Sequence, residues 1–193
     1  MNRFAPFFVL AACATHSHKM DDPGRDDWQH PDDVVRALAL TPAMTVADVG
    51  AGTGYFTRRL ARAVPDGTVI AAELDPGRVK QLEALGLANV RVVQASRCAS
   101  GLAPQSVDAI LVVHVWHHLE DRACVARDLA AALRPGGKVV VVEYAVDAKD
   151  GPPQAMRLAP DTVVADLAGA GFAASVSAVA LPDQYMVEAR APR

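Results

Sequence analysis

From residue 45 onward, short runs of branched apolar residues alternate with stretches whose apolar positions recur every three or four residues. The runs at 45–49, 68–74, 90–94, 108–115 and 138–144 are rich in Val and Ile and read as strands. They are apolar on both faces, the pattern of a parallel sheet covered by helices on both sides. Between them, 55–63, 76–85, 121–133 and 161–170 have helical spacing. A further helix is predicted at 31–40. Pro31 suits its first turn, Asp32 and Asp33 suit the positive end of its dipole, and Thr41-Pro42 stops it. Strand and helix in alternation predict a doubly wound α/β sheet. The tail, 175–180 then 184–189 around Leu181-Pro182-Asp183, predicts a closing hairpin. No internal repeat or second domain boundary is visible.

Composition narrows this picture. The chain has 193 residues, enough for one ordinary domain with a sizeable core, and 51% hydrophobic residues, which excludes global disorder. With 19 basic against 22 acidic residues, no basic excess points to nucleic acid. Three cysteines make no disulfide framework, and Cys98 and Cys124 show no ligand spacing in sequence, so no metal site is expected.

The chemistry concentrates in Val46-Ala47-Asp48-Val49-Gly50-Ala51-Gly52-Thr53-Gly54-Tyr55, a buried strand running into three glycines and then a helix. Glycine permits positive φ and close approach of a ligand to the backbone. A dinucleotide site wants G-x-G-x-x-G, whereas this loop is G-x-G-x-G, with Tyr55 where a third fingerprint glycine would stand. Asp48 would repel a pyrophosphate but suits a cofactor bearing an ammonium group. Glu73 ends the next predicted strand, at the distance from the loop where a carboxylate accepts ribose hydroxyls. Asp75 with Pro76 reads as the cap of the following helix. A nicotinamide-dependent oxidoreductase is disfavoured by the glycine spacing.

These residues resemble class I S-adenosylmethionine-dependent methyltransferases, from about Asp32 to the end of the chain. Asp48 to Gly54 matches that family's first motif, and Glu73 its ribose-binding acid. Asp108 to His114 matches the fourth-strand motif, and Leu133 to Lys138 the turn into the fifth strand. The resemblance implies a Rossmann-like seven-stranded sheet with an antiparallel last strand. It also implies methyl transfer from S-adenosylmethionine to a small-molecule acceptor. The cofactor set it implies is Asp48, Gly50, Ala51, Gly52, Thr53, Gly54, Glu73, Leu74, Ser96 and His114. Ser96 is a departure, because the family often places an acid there to accept from the adenine amino group. A hydroxyl in its place costs about 1–2 kcal/mol. That departure keeps open a second reading, a cofactor-binding module with weak or lost activity.

Methyl transfer from a sulfonium needs proximity and alignment, plus a base where the acceptor must lose a proton. Of six histidines, His114, His117 and His118 lie within five residues at the predicted carboxyl edge of strand four. His117 is the candidate base, near neutral pH. His118, Trp28, Tyr185 and Arg157 are candidates for the acceptor pocket, Arg157 following a lid-like Gly151-Pro152-Pro153 stretch. Each also has a plainer reading as a core, surface or solvated residue.

The N-terminus poses a separate question. One arginine precedes an apolar stretch at 4–12, too short to span a membrane but long enough for a secretory signal. Leu10-Ala11-Ala12-Cys13 resembles a bacterial lipobox. That implies a signal peptide at 1–12, acylation of Cys13, a tether and arm at 13–30 and the domain at 31–193. Several acyl chains would anchor firmly where one would not, and this would be the chain's sole membrane contact, placing it in the cell envelope or periplasm. Alternatively 1–12 packs on the domain, or Met20 is the true start, and the protein is cytoplasmic. The two expectations pull apart, because the implied cofactor is made in the cytoplasm.

Overall fold

The computed structural model describes residues 22–191. Residues 1–12 and Cys13 lie outside them. Among the described residues two short helices come first, α1 (Arg25–Gln29) and α2 (Pro31–Ala37). There follow β1 (Thr45–Val49), α3 (Tyr55–Ala63), β2 (Thr68–Glu73), α4 (Pro76–Glu83), β3 (Val90–Gln94) and β4 (Val107–Val113). Then come α5 (Arg122–Ala132), β5 (Leu133–Tyr144), α6 (Pro160–Gly169), β6 (Ala173–Val176) and β7 (Gln184–Arg190). The strands form a seven-stranded sheet in the order β3-β2-β1-β4-β5-β7-β6, the doubly wound sheet expected. β1 to β5 are mutually parallel, and β7 runs antiparallel to both its neighbours.

Alternating side chains send the sheet's apolar positions into two layers. Val46, Val69, Ala109, Leu111, Val140, Val142 and Met186 pack under α2 and α3, with Phe56, Leu60 and Val34 fully or nearly fully buried. Ala47, Ile70, Ile110, Val112, Val141 and Val187 pack under α5 and α6, around the wholly buried Trp116. The indole of Trp116 donates to Asp166 of α6 at 3.0 Å, and Arg122 pairs with the same carboxylate at 2.7 Å, so α5 and α6 share one anchor.

The element ends differ from expectation where backbone conformation intervenes. The helix predicted at 31–40 stops at Ala37, because Ala39 adopts φ +52° and the chain turns before Pro42. The strand predicted at 108–115 stops at Val113, because His114 enters the left-handed region at φ +56°. The first strand of the closing hairpin begins at Ala173 and ends at Val176, earlier than 175–180. It starts where Ala173 pairs with Arg190. Residues 22–30, expected as linker or arm, contain α1, whose Gln29 is completely buried. That stretch packs as part of the domain.

Strand connection reverses between β1 and β4, the place where open α/β sheets take ligands at the carboxyl edge, and the glycine loop follows β1 there. Gly50, Gly52 and Gly54 have φ of +76°, +58° and +82°. At Gly50 a Cβ would stand 2.2 Å from Cγ2 of Val115. Gly50→Ala therefore combines backbone strain with a clash and should cost about 3 kcal/mol in urea unfolding. Adding Val115→Ala should return part of that loss. A cost under about 1 kcal/mol contradicts the packing described.

Candidate functional site

The loop is fixed first by backbone. Gly50 and Ala51 both donate N–H groups to the carbonyl of Ala72, at 2.8 and 3.1 Å. The buried Glu73 carboxylate then closes the gap between β1 and β2. Its Oε2 accepts from the Gly52 N–H at 2.8 Å, and its Oε1 accepts from Leu74 and Asp75 at 2.8 and 2.9 Å. A carboxylate has about four lone-pair positions, so three backbone donors leave one, on Oε2. Glu73 can thus take a further donor directly beside the loop. Leu74, 55% exposed, offers an apolar face next to it. Gln94, which sequence alone did not single out, ties the end of β3 to this edge by donating to the carbonyl of Leu74 at 2.6 Å. Ser96 lies exposed just beyond, in a turn where its N–H donates to Ala99 at 2.7 Å.

Asp48 is 3% exposed and accepts from the Thr57 hydroxyl of α3 at 2.6 Å. Burial pushes its carboxyl up to about 6, against the Thr57 hydrogen bond and the nearby Arg25 charge, which act downward. A cationic ligand group at this position would favour the ionised form.

The N-terminal arm covers the loop. The Tyr55 ring lies between two guanidinium groups, Arg25 at 3.8 Å and Arg59 at 3.9 Å from its centroid. The Tyr55 hydroxyl donates to Asp26 at 2.5 Å, and Arg59 holds the same carboxylate at 2.6 and 2.7 Å. The hydrogen bond from Tyr55 leads the effects that lower the Asp26 carboxyl below its usual range. Beneath α1 runs a buried amide relay. Arg25 donates to Gln29 at 3.2 Å, and Gln29 donates to Gln184 Oε1 at 2.6 Å. The Gln184 Nε2 faces the carbonyls of Trp28 and Pro182, at 2.9 and 3.1 Å, which fixes its amide orientation. Its Oε1 is therefore an acceptor, and His114 Nε2, 2.9 Å away, must carry the proton. The His114 ring stacks on Tyr144 at 4.0 Å and lies nearly parallel to Trp28 at 6.0 Å. Burial pushes the Tyr144 phenol up to about 12.

His117 sits on the other side of the sheet edge, in a 3-10 turn at Trp116–His118. Its side chain is fully buried, and Nδ1 lies 2.6 Å from Oε2 of Glu143. The carboxylate can only accept, so the neutral ring has its proton on Nδ1 and a lone pair on Nε2. The other oxygen of Glu143 accepts the His117 backbone N–H at 3.2 Å. Among the described residues, His117 Nε2 is buried with no hydrogen-bond partner. His118 is exposed, its ring 4.1 Å away.

Other expected pocket residues are placed differently. Tyr185 is paired with Glu143 across β5 and β7 and belongs to the α5–α6 core layer, opposite Trp28. Its hydroxyl is engaged by the Leu158 carbonyl at 2.9 Å. Arg157 donates to the carbonyls of Pro152, Val146 and Ala148, at 3.0, 3.2 and 2.5 Å. Its guanidinium thus staples the loop after β5 to itself, which is a structural task rather than an anion clamp. Sequence reasoning missed Glu143, Gln184, Gln29 and Arg25. Glu143 alone left a trace, as the one charge in the Val139-Val140-Val141-Val142-Glu143-Tyr144 run.

Residues 47–141 match the family model described as a methyltransferase domain. The chain is 29% identical over 116 residues to the ubiquinone/menaquinone biosynthesis C-methyltransferase UbiE of Shewanella frigidimarina, covering 57% of this chain and 46% of that protein. It spans about half the length of the curated relatives it matches. Among solved structures, an S-adenosylmethionine-dependent methyltransferase from Aquifex aeolicus superposes with a TM-score of 0.82 at 26% identity, covering 91% of this chain and 97% of that one. A possible exported protein from Bordetella parapertussis shares the fold, with a TM-score of 0.68 at 18% identity over 86% of this chain and 68% of that one.

The Asp48 environment yields a testable pH dependence. Its folded-state value lies above the unfolded one, near 4, so between about pH 4 and pH 6 the native state binds the extra proton. The stability owed to this group is full below about pH 4 and falls as pH rises through 6, by about 3 kcal/mol in total. Asp48→Asn keeps an acceptor for Thr57 and removes that loss. In urea unfolding, the variant should gain about 3 kcal/mol on wild type between pH 4 and pH 7. A difference that does not change with pH contradicts the buried, ionisable Asp48.

Residues 47–141 thus match a methyltransferase domain, in a chain whose fold and glycine loop are similar to those of S-adenosylmethionine-dependent methyltransferases.

Proposed function

We propose that the protein transfers the methyl group of S-adenosylmethionine to a small-molecule acceptor by in-line displacement. The observation that carries this reading is the Glu73 carboxylate, buried at the carboxyl edge and bonded to the Gly52 N–H at 2.8 Å with one acceptor position left over. The residues present fit the cofactor. Glu73 would take a ribose hydroxyl, and Leu74 would lie against the adenine. Gly50, Ala51, Gly52, Thr53 and Gly54 would let the ligand close on the backbone. Asp48 supplies a buried negative charge, and His114 with Ser96 flanks the two ends. When bound, the cofactor supplies an electrophilic methyl group on a sulfonium.

The chain's own residues orient the reactants and exclude water. Trp28, Tyr144 and His114 form an aromatic wall beneath the N-terminal arm. Where the acceptor must lose a proton, His117 is the candidate base, its Nε2 enclosed on the far side of the sheet edge from the Trp28–His114–Tyr144 wall and its tautomer held by Glu143. His118 is the exposed neighbour through which an acceptor approaches. The relatives named as quinone-pathway C-methyltransferases support a small organic acceptor.

We further propose that residues 1–12 act as an export signal and that Cys13 carries lipid, on the strength of Leu10-Ala11-Ala12-Cys13 after an apolar stretch. This places the protein in the cell envelope. Among the described residues, no helix is long and apolar enough to cross a membrane. The mass of the mature chain tests this. Acylation at Cys13 supports it, and an intact Met1 or a start at Met20 overturns it.

Calorimetric titration with S-adenosylhomocysteine should give saturable binding that Glu73→Ala weakens about tenfold to a hundredfold. No binding at millimolar ligand overturns the cofactor reading. With an acceptor in hand, His117→Gln should lower kcat about a hundredfold while leaving cofactor affinity unchanged. An unchanged kcat in the His117 variant overturns its role as base and favours a group elsewhere at the edge.

A further inference from the structure

Cys98 and Cys124, isolated in sequence, are brought together by the fold. Cys98 lies in the loop after β3, and Cys124 in the first turn of α5. Asp121, the N-cap of α5, accepts the Cys124 backbone N–H at 2.8 Å and so fixes its own carboxylate beside that cysteine. One Sγ from each cysteine and one oxygen of Asp121 all lie within 4.8 Å of one another. Both cysteines are half-buried and Asp121 is exposed. The same loop is tied to α5 on one side and to the residue before its N-cap on the other. Arg97 pairs with Glu120, and the Ser100 N–H and hydroxyl both donate to Asp128, at 2.8 and 2.5 Å.

We propose that Cys98, Asp121 and Cys124 form a site for one thiophilic divalent cation of the zinc class. Two thiolates and a carboxylate are ligands such a cation takes tetrahedrally, at about 2.3 Å to sulfur and about 2.0–2.2 Å to oxygen. Those bond lengths put ligand atoms about 3.5–3.8 Å apart, within reach of small side-chain rotations from the separation observed. Three protein ligands leave the fourth position to water or a small anion. The bonds from Ser100 to Asp128 hold the loop beside α5. Each thiol gives up its proton to solvent as the cation binds, and no redox step is involved. The cation cross-links the loop after β3 to α5, independently of the methyl-transfer reading.

The test uses the full chain, reduced and freed of metal with a chelator, titrated with cadmium as the probe. The expected result is a sulfur-to-metal charge-transfer band saturating at one equivalent, with a rise in Tm. Cys98→Ser and Cys124→Ser should each collapse the band, and Asp121→Asn should weaken binding about tenfold or more. Cys13→Ser should change nothing, which separates the site from the N-terminal cysteine. A band that survives in the Cys98→Ser/Cys124→Ser double variant overturns the proposal. So does its loss in Cys13→Ser, or the absence of saturable binding in the wild type.

Discussion

A buried carboxylate without donors is among the more costly things a fold can contain, and Glu73 meets that constraint with three backbone N–H groups. Two of them come from the start of the turn into α4, and the third reaches across from the glycine loop. The positive φ at Gly52 belongs to the turn that presents this N–H. Since β1 and β2 pair in parallel from Thr45↔Thr68 to Val49↔Ala72, the sheet delivers both strand ends to the same level. The site is thus a consequence of strand register closed by one side chain.

A second constraint sits above it. Gln184, at the start of the antiparallel β7, joins His114 at the end of β4, Gln29 of α1 and the backbone of Trp28. One amide therefore connects the closing strand, the carboxyl edge and the N-terminal arm. That arm is latched a second time on the surface through Asp26, Arg59 and Tyr55. The buried connection is the stronger of the two, because its polar groups have no water to fall back on, whereas the exposed ion pair is screened. An arm held this way orders the aromatic wall of Trp28, His114 and Tyr144 over the place where a methyl group would move.

Much of this was legible in the sequence, for reasons that differ by element. The central strands declared themselves because runs such as Asp108 to Val113 are buried on both faces, leaving little room for another reading. The glycine loop and Glu73 were legible because special backbone conformations demand special residues. The ends of α2 and β4 were misplaced by three and two residues, where a non-glycine residue, Ala39 or His114, took positive φ without a compositional sign. The polar network was almost invisible, because Gln29 and Gln184 are ordinary surface residues until a strand from the far end of the chain buries them together. Tyr185 and Arg157 looked available from their positions, yet tertiary carbonyls from Leu158 and from the loop after β5 claim their polar atoms. The clustering of Cys98 with Cys124 likewise depends on a loop and a helix that only the folded sheet brings side by side.

The most direct measurement of the central claim is a crystal structure with S-adenosylhomocysteine bound. The ribose should lie on Oε2 of Glu73, hydrogen-bonded beside the Gly52 N–H, with the adenine against Leu74 and α1 closed over the methionine end near His114. A ligand bound away from the β1–β2 strand ends, with Glu73 untouched, would contradict the account.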